Sequence, residues 1–223
     1  MGKLYIVRHG ETVWNREGRI QGHTDVGLSE RGLEQARLLA QRLEPVALDA
    51  AYASDLSRAS DTAAAVLQGR GVPLYPTPRL REYHKGAFEG LTEAELRSRY
   101  PSEYPGYVAK DLDYAPEGGE STRGVSDRMA AVINEIKERH LGDSVLVVGH
   151  GGSLRAAMMA LLGMSMDANW RFVFGNCTLT IVDTYHDNAV LRLFNDGSHL
   201  AGMDARFVAG AGASRPAAAG EGP

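Results

Sequence analysis

An apolar run near the start of the chain, Leu4-Tyr5-Ile6-Val7, stops abruptly at Arg8-His9-Gly10-Glu11-Thr12. A buried strand that ends in a cation, an imidazole and a glycine opens onto a polar site, so chemistry is expected at residue 9. Other strand-like runs end in the same way. Ser54, Asp55 and Arg58 follow the second, Glu82 follows the third after a short loop, and His150 directly follows Val145-Leu146-Val147-Val148-Gly149. In an open α/β sheet, ligands bind in the crevice beyond the carboxyl ends of the strands, and these residues would meet there. The reactive core of the set is two guanidiniums, two imidazoles and one acid. Guanidiniums bind two phosphate oxygens together and keep their charge near neutrality, so the set suits phosphate chemistry without a metal.

The elements that must position these residues are legible as six apolar runs: 3–7, 50–53, 72–75, 144–148, 179–185 and 190–194. Helical patterns alternate with several of them. Ser29 caps a helix whose stripe is Leu33, Ala36, Leu39, Ala40 and Leu43, ended by Pro45. Further helices are expected from near Leu56 or Ser57 to about Leu67, after the Thr92–Glu95 capping box, from Ser121 to about His140, and from Gly151 to Leu162. Strands alternating with helices predict a three-layer α/β/α sandwich around a mostly parallel six-stranded sheet. His186-Asp187-Asn188 should close an antiparallel hairpin at one edge. Residues 1–203 read as one domain in which 83–120 form a cap-like insertion, and the Ala/Gly/Pro-rich stretch 204–223 reads as a flexible tail.

Composition narrows the function classes. With 43% hydrophobic residues, 23% charged residues and a net charge of -4, the chain has ordinary globular composition. It lacks the clustered Lys and Arg that nucleic-acid binding would need. No stretch approaches the ~20 apolar residues of a spanning helix, so no membrane partner is expected and a cytoplasmic location is. The single cysteine, Cys177, excludes an internal disulfide. No arginine follows it to cup a phosphate, so it reads as a small core residue rather than a nucleophile.

Arg-His-Gly-Glu-Thr at a strand end, together with Arg58, the LREYHKGAFEG stretch around Glu82, and Gly149-His150-Gly151-Gly152, resembles the histidine phosphatase superfamily, in particular its phosphoglycerate mutase-like branch. The resemblance spans residue 3 to about 200 and implies the roles of individual residues. His9 would take the phosphoryl group, Arg8, Arg58 and His150 would form the phosphate pocket, and Glu82 would donate the proton. Asn15, Gln21, Gly22 and Gly151 match positions that contact phosphate or substrate. Glu82 is selected over the nearby Glu89, Glu93 and Glu95 by that match alone. The terminal FNDGSHL segment also matches a family motif, with packing as its expected role.

Physical reasons stand beside the resemblance. Phosphoryl transfer spreads charge over three equatorial oxygens, so fixed cations and N–H donors do most of the catalysis. An imidazole with a free pKa of ~6.5 is largely neutral near pH 7, and neighbouring cations favour that nucleophilic form further. The glycine turn around His150 aims a helix N-terminus, a favourable place for an anion, at the pocket.

Rival readings are weaker. Asp111-Leu112-Asp113 imitates the Asp-x-Asp of haloacid dehalogenase phosphatases but follows no apolar run. A metal cluster of His9, His150, His23 and Asp25 would place Arg8 and Arg58 beside a dication, so no metal and no cofactor are expected. Within the family the alternatives are a phosphatase or a cofactor-dependent phosphoglycerate mutase. Residues 97–120 are shorter and less basic than a mutase insertion, and Lys110 is flanked by Asp111 and Asp113, which favours the phosphatase. A non-catalytic phosphate-binding protein would be expected to lack one of the reactive groups.

Five of the nine tyrosines fall between residues 83 and 114, where they would pack an irregular segment or grip an organic group beyond the phosphate. Phosphoserine, sugar phosphates, phosphoglycerate-type acids and α-ribazole phosphate all fit, so the expected partner is a small phosphorylated metabolite. The apolar segment 170–174 could be an edge strand, core or a subunit face, and a homodimer is carried as a possible assembly.

Overall fold

Alternation along the strands decides the architecture. In a strand, successive side chains point to opposite faces, so an uninterrupted apolar run must be covered on both. Leu4 and Ile6 of β1 (Gly2–Arg8), Ala50 and Tyr52 of β2 (Ala50–Ser54), and Val145 and Val147 of β4 (Ser144–Gly149) face one core. Tyr5 and Val7, Ala51 and Ala53, and Leu146 and Val148 face the other. The computed structural model, which describes residues 1–109 and 111–203, joins these strands with β3 (Leu74–Thr77), β5 (Leu179–Thr184) and β6 (Ala189–Asp196). The sheet order is β3-β2-β4-β1-β5-β6. The β1–β4, β2–β4 and β2–β3 pairs are parallel. β5 runs antiparallel to both β1 and β6, as the expected hairpin requires.

Helices cover both faces. Besides the short α1 (Val13–Glu17), α2 (Glu30–Leu43) and α3 (Ser57–Leu67) bury their stripes in one core. Beyond α4 (Glu93–Arg99) and α5 (Tyr104–Val108), α6 (Thr122–Arg139) and α7 (Gly151–Leu161) fill the other. Ser29, Thr92 and Ser121 each accept a hydrogen bond from a first-turn backbone N–H, as their positions predicted. Each fully buried aliphatic side chain in these cores contributes roughly 1.5–3 kcal/mol relative to exposure.

The structure corrects the sequence reading in several places. Leu33, expected on the buried stripe of α2, is 57% exposed. Gly32 takes the inward position instead, packed so close that a Cβ there would overlap the carbonyl oxygen of Glu11, while Ala36, Leu39 and Leu43 are buried as expected. The 170–174 segment is not a strand. A 3₁₀ stretch, Met166–Arg171, leads into Phe172 and on to the fully buried Phe174. α1 and α5 were not anticipated. Cys177 is buried where β5 is about to begin, as expected, with its thiol pushed up by burial. The 204–223 stretch lies outside the described residues.

Phe88, Leu91 and Leu96 form a third, small apolar cluster against which Tyr100, Tyr104, Tyr107 and Tyr114 pack. The 83–120 segment therefore has its own packing, beside the two sheet cores. Among the described residues, no helix is long and apolar enough to cross a membrane.

Candidate active site

β1 and β4 are neighbours in parallel register, with Arg8 opposite Gly149, so their carboxyl ends deliver Arg8, His9 and His150 side by side. The rings of His9 and His150 lie 5.1 Å apart between centroids. Arg58, in the first turn of α3 after β2, is fully buried and donates from Nε to His150 Nδ1 at 3.2 Å. Its two terminal nitrogens donate to the carbonyls of Gly22 and Thr24 at 2.7 and 2.9 Å. Arg8 donates to the Phe174 carbonyl at 2.7 Å, while its buried Nε has no hydrogen-bond partner among the described residues.

These contacts set the protons on the two imidazoles. His9 Nδ1 lies 2.6 Å from the Gly10 carbonyl oxygen, so Nδ1 donates and Nε2 keeps its lone pair. His150 accepts at Nδ1, so its proton sits on Nε2, a buried atom with no hydrogen-bond partner among the described residues. Burial holds His9 well below an imidazole's ordinary value, and the charges of Arg58 and Arg8 reinforce the shift. Burial acts the same way on His150, reinforced first by Arg58. Burial also lowers Arg8, to about 10, which leaves it a cation at neutral pH. The floor of the site thus holds neutral imidazoles between permanent cations.

Glu82 approaches from the loop after β3. Its carboxylate accepts from Gly152 N at 2.9 Å and Ser153 N at 2.8 Å, the first N–H groups of α7. The helix N-terminus expected to receive an anion receives this one. Gly152 has to be glycine, because a Cβ would stand 2.6 Å from Glu82 Oε1 and 2.8 Å from the Tyr83 ring.

A cleft of about 540 Å³ lies over these groups. It is lined by Arg8, His9, Asn15, Gln21, Gly22, Arg58, Glu82, His150 and Gly151, so the residues given catalytic and substrate-binding roles by the resemblance open onto one cavity. Asn15 Oδ1 accepts from Thr12 N at 3.1 Å, and Gln21 Oε1 accepts from Thr12 Oγ1 at 3.0 Å, which ties both to the His9 loop. Ser54 and Asp55 stay outside. Ser54 caps Leu56 N, and Asp55 takes both prongs of Arg81. His84, in the same stretch as Glu82, stacks on His23, with ring centroids 4.6 Å apart. Asp25 accepts from Ser57, and the His9–His150–His23–Asp25 group does not assemble.

Sequence reasoning missed several supporting residues. Asn176 donates to the His9 carbonyl at 2.9 Å, and Thr62 Oγ1 accepts from Gly10 N at 3.0 Å. Thr62 carries a signal, lying four residues after Arg58 on one helix face. Asn176 carries none, since only the β1–β5 pairing brings it close. Lys85 and Arg155 also line the cleft, the former with Nζ 4.5 Å from the Tyr83 ring centroid. Tyr83, Tyr107, Tyr114, Trp170 and Phe172 supply aromatic walls. The tyrosine-rich stretch thus packs its own segment and also lines the cleft. Asn195, in the terminal motif, accepts from Gly175 N and Thr178 Oγ1 and so packs the loop that carries Asn176.

The chain is similar to known proteins over most of its length. Residues 4–197 match the sequence model of the histidine phosphatase superfamily (branch 1). The chain is 34% identical over 200 residues to phosphoserine phosphatase 1 of Hydrogenobacter thermophilus, covering 90% of this chain and 95% of that protein. It is 35% identical over 187 residues to a probable phosphoglycerate mutase, GpmB, of Cronobacter sakazakii, covering 82% and 85%. The solved structure of Bacillus stearothermophilus YhfR superposes with a TM-score of 0.83 at 37% identity, over 90% of this chain and all of that one.

Proposed function

The chain belongs to the histidine phosphatase superfamily, branch 1, and on that premise we propose that it is a metal-independent hydrolase of small phosphomonoesters that works through a phosphohistidine on His9. The observation that carries this reading is the proton placement at His9. With Nδ1 donating to Gly10 O, the Nε2 lone pair faces a cleft walled by Arg8, Arg58 and the unpartnered Nε2–H of His150.

In the first step, Nε2 attacks phosphorus while the ester P–O bond breaks. Arg8, Arg58 and His150 stabilise the charge on the equatorial oxygens, and Glu82 in its acid form protonates the leaving alkoxide. In the second, Glu82 takes a proton from water, whose oxygen attacks the phosphorus and breaks the N–P bond. Inorganic phosphate leaves and neutral His9 is restored. Two permanent cations neutralise the transferring group, which supports a reaction without a dication. The aromatic walls support an organic group beyond the phosphate. The reading extends to a cytoplasmic enzyme, supported by the lone buried cysteine.

Incubation with 3-phosphoglycerate and a trace of 2,3-bisphosphoglycerate tests hydrolysis against isomerisation. Phosphate release with little 2-phosphoglycerate is expected, and rapid isomer formation with little free phosphate would contradict the proposal.

A further inference from the structure

We infer that Glu89 and His23 form one clamp that positions Arg58 and Glu82 together. Glu89, a competitor for the acid role in the sequence, lies outside the cleft lining, and its side chain is only 11% exposed. Its Oε1 accepts from His23 N at 2.8 Å and Lys85 N at 3.0 Å. Its Oε2 accepts from Thr24 N at 2.7 Å and Thr24 Oγ1 at 2.5 Å. One carboxylate thus binds the 22–24 strip to the loop that follows Glu82.

That strip serves both reactive groups in alternation. The carbonyls of Gly22 and Thr24 hold the guanidinium of Arg58, and between them the His23 side chain donates from Nε2 to the Glu82 carbonyl at 2.9 Å. Arg128, itself paired with Glu120, adds a second donor to that carbonyl at 3.3 Å. Gly22 has φ +57°, and a Cβ there would overlap the Glu89 carboxylate, so its glycine serves the clamp. Backbone bonds from Ile20 N to Leu91 O and Gly90 N to Ile20 O close the same seam. Burial opposes the charge of Glu89, but the hydrogen bonds from Thr24, His23 and Lys85 prevail and hold its carboxyl below the usual range.

Glu89 and His23 are positioning residues, and the clamp's kinetic readout rests on the phosphatase reading. Glu89→Gln keeps the shape but turns an amide NH₂ against at least one backbone N–H donor. Because Arg58 is disturbed, turnover of 4-nitrophenyl phosphate is expected to fall about tenfold, in line with loss of part of a transition-state contact. His23→Ala frees only Glu82. It should slow hydrolysis of an alkyl phosphate, whose leaving group needs a proton, about tenfold more than that of 4-nitrophenyl phosphate, whose leaving group does not. His23→Gln, which can return a donor near the Nε2 position, should restore much of the difference.

Equal losses on both substrates in His23→Ala, or kcat/KM within twofold of the parent in both Glu89→Gln and His23→Ala, would overturn the clamp. So would crystal structures of those variants with Arg58 and Glu82 unmoved, whatever the turnover. A parent protein that hydrolyses neither substrate would defeat the phosphatase reading, while the variant structures would still decide the clamp. If Glu89→Gln does not fold, His23→Ala carries the test.

Discussion

The floor of the cleft and the 83–120 segment above it are built on opposite principles. On the floor, Arg8, His9, Arg58 and His150 are all buried at strand ends or in a first helical turn, and backbone carbonyls or one another orient them. In the 83–120 segment, short helices rest on a small cluster around Phe88, and tyrosines divide between that cluster and the cleft wall. Rigid groups at sheet ends suit a reaction whose charge must be met without reorganisation. A segment with its own small core can vary its cleft-lining tyrosines while Glu89 keeps it tied to the floor. The proposed division puts reaction type on the floor and substrate choice in the aromatic lining of the 83–120 segment.

Substitution on the floor is the strongest way to break this contrast. Arg58→Lys removes the fork that reaches Gly22, Thr24 and His150 together, so kcat/KM should fall about 10²–10³-fold for every phosphomonoester alike. Steady-state kinetics on a panel of esters checks this, and losses that depend strongly on the ester would blur the two roles. Phe88→Ala attacks the other region. Emptying the centre of the small cluster should cost about 3 kcal/mol locally, and should alter kcat/KM more for esters with large organic groups than for methyl phosphate. Equal effects on both would mean that the segment does not govern choice.

The smallest expected effect is on stability against pH. His9 and His150 are both held well below 6.5, with burial as the largest cause, and burial lowers His23 and His199 in the same direction. Below about pH 6.5 the unfolded chain binds protons that the folded chain refuses. Stability is therefore full above that value and declines as pH falls through it toward the folded-state values. Each histidine contributes at most about 1.4 kcal/mol per pH unit. Urea titrations between pH 7.5 and 5.5 should show the decline, and stability flat or rising on acidification would contradict the proton placement.

Much of the floor was legible in the sequence because strand alternation and apolar runs mark where strands stop, and the reactive residues stand at those stops. Helix caps at Ser29, Thr92 and Ser121 were legible for a local reason, the side-chain oxygen three residues before an unsatisfied N–H. What escaped depends on contacts distant in the chain. Leu33 is exposed while Gly32 packs against Glu11, and Asn176 reaches His9 only through the β1–β5 pairing. Glu82 and Glu89 lie in the same loop region and look alike in sequence. Only the fold puts one on the N-terminus of α7 and the other behind Arg58. α5 begins with Tyr104-Pro105-Gly106, composition that argues for a turn, and its packing on the Phe88 cluster overrides that tendency.

On the proposed function, His9 Nε2 carries the phosphoryl group. Rapid acid-free quenching of the protein with a ³²P-labelled phosphomonoester, followed by peptide mapping under alkaline conditions, tests it most directly. An acid-labile, base-stable label is expected on the peptide containing His9, with turnover lowered by about 10⁴-fold or more in His9→Ala. Full turnover in His9→Ala, or a transient label on any other residue, would contradict it.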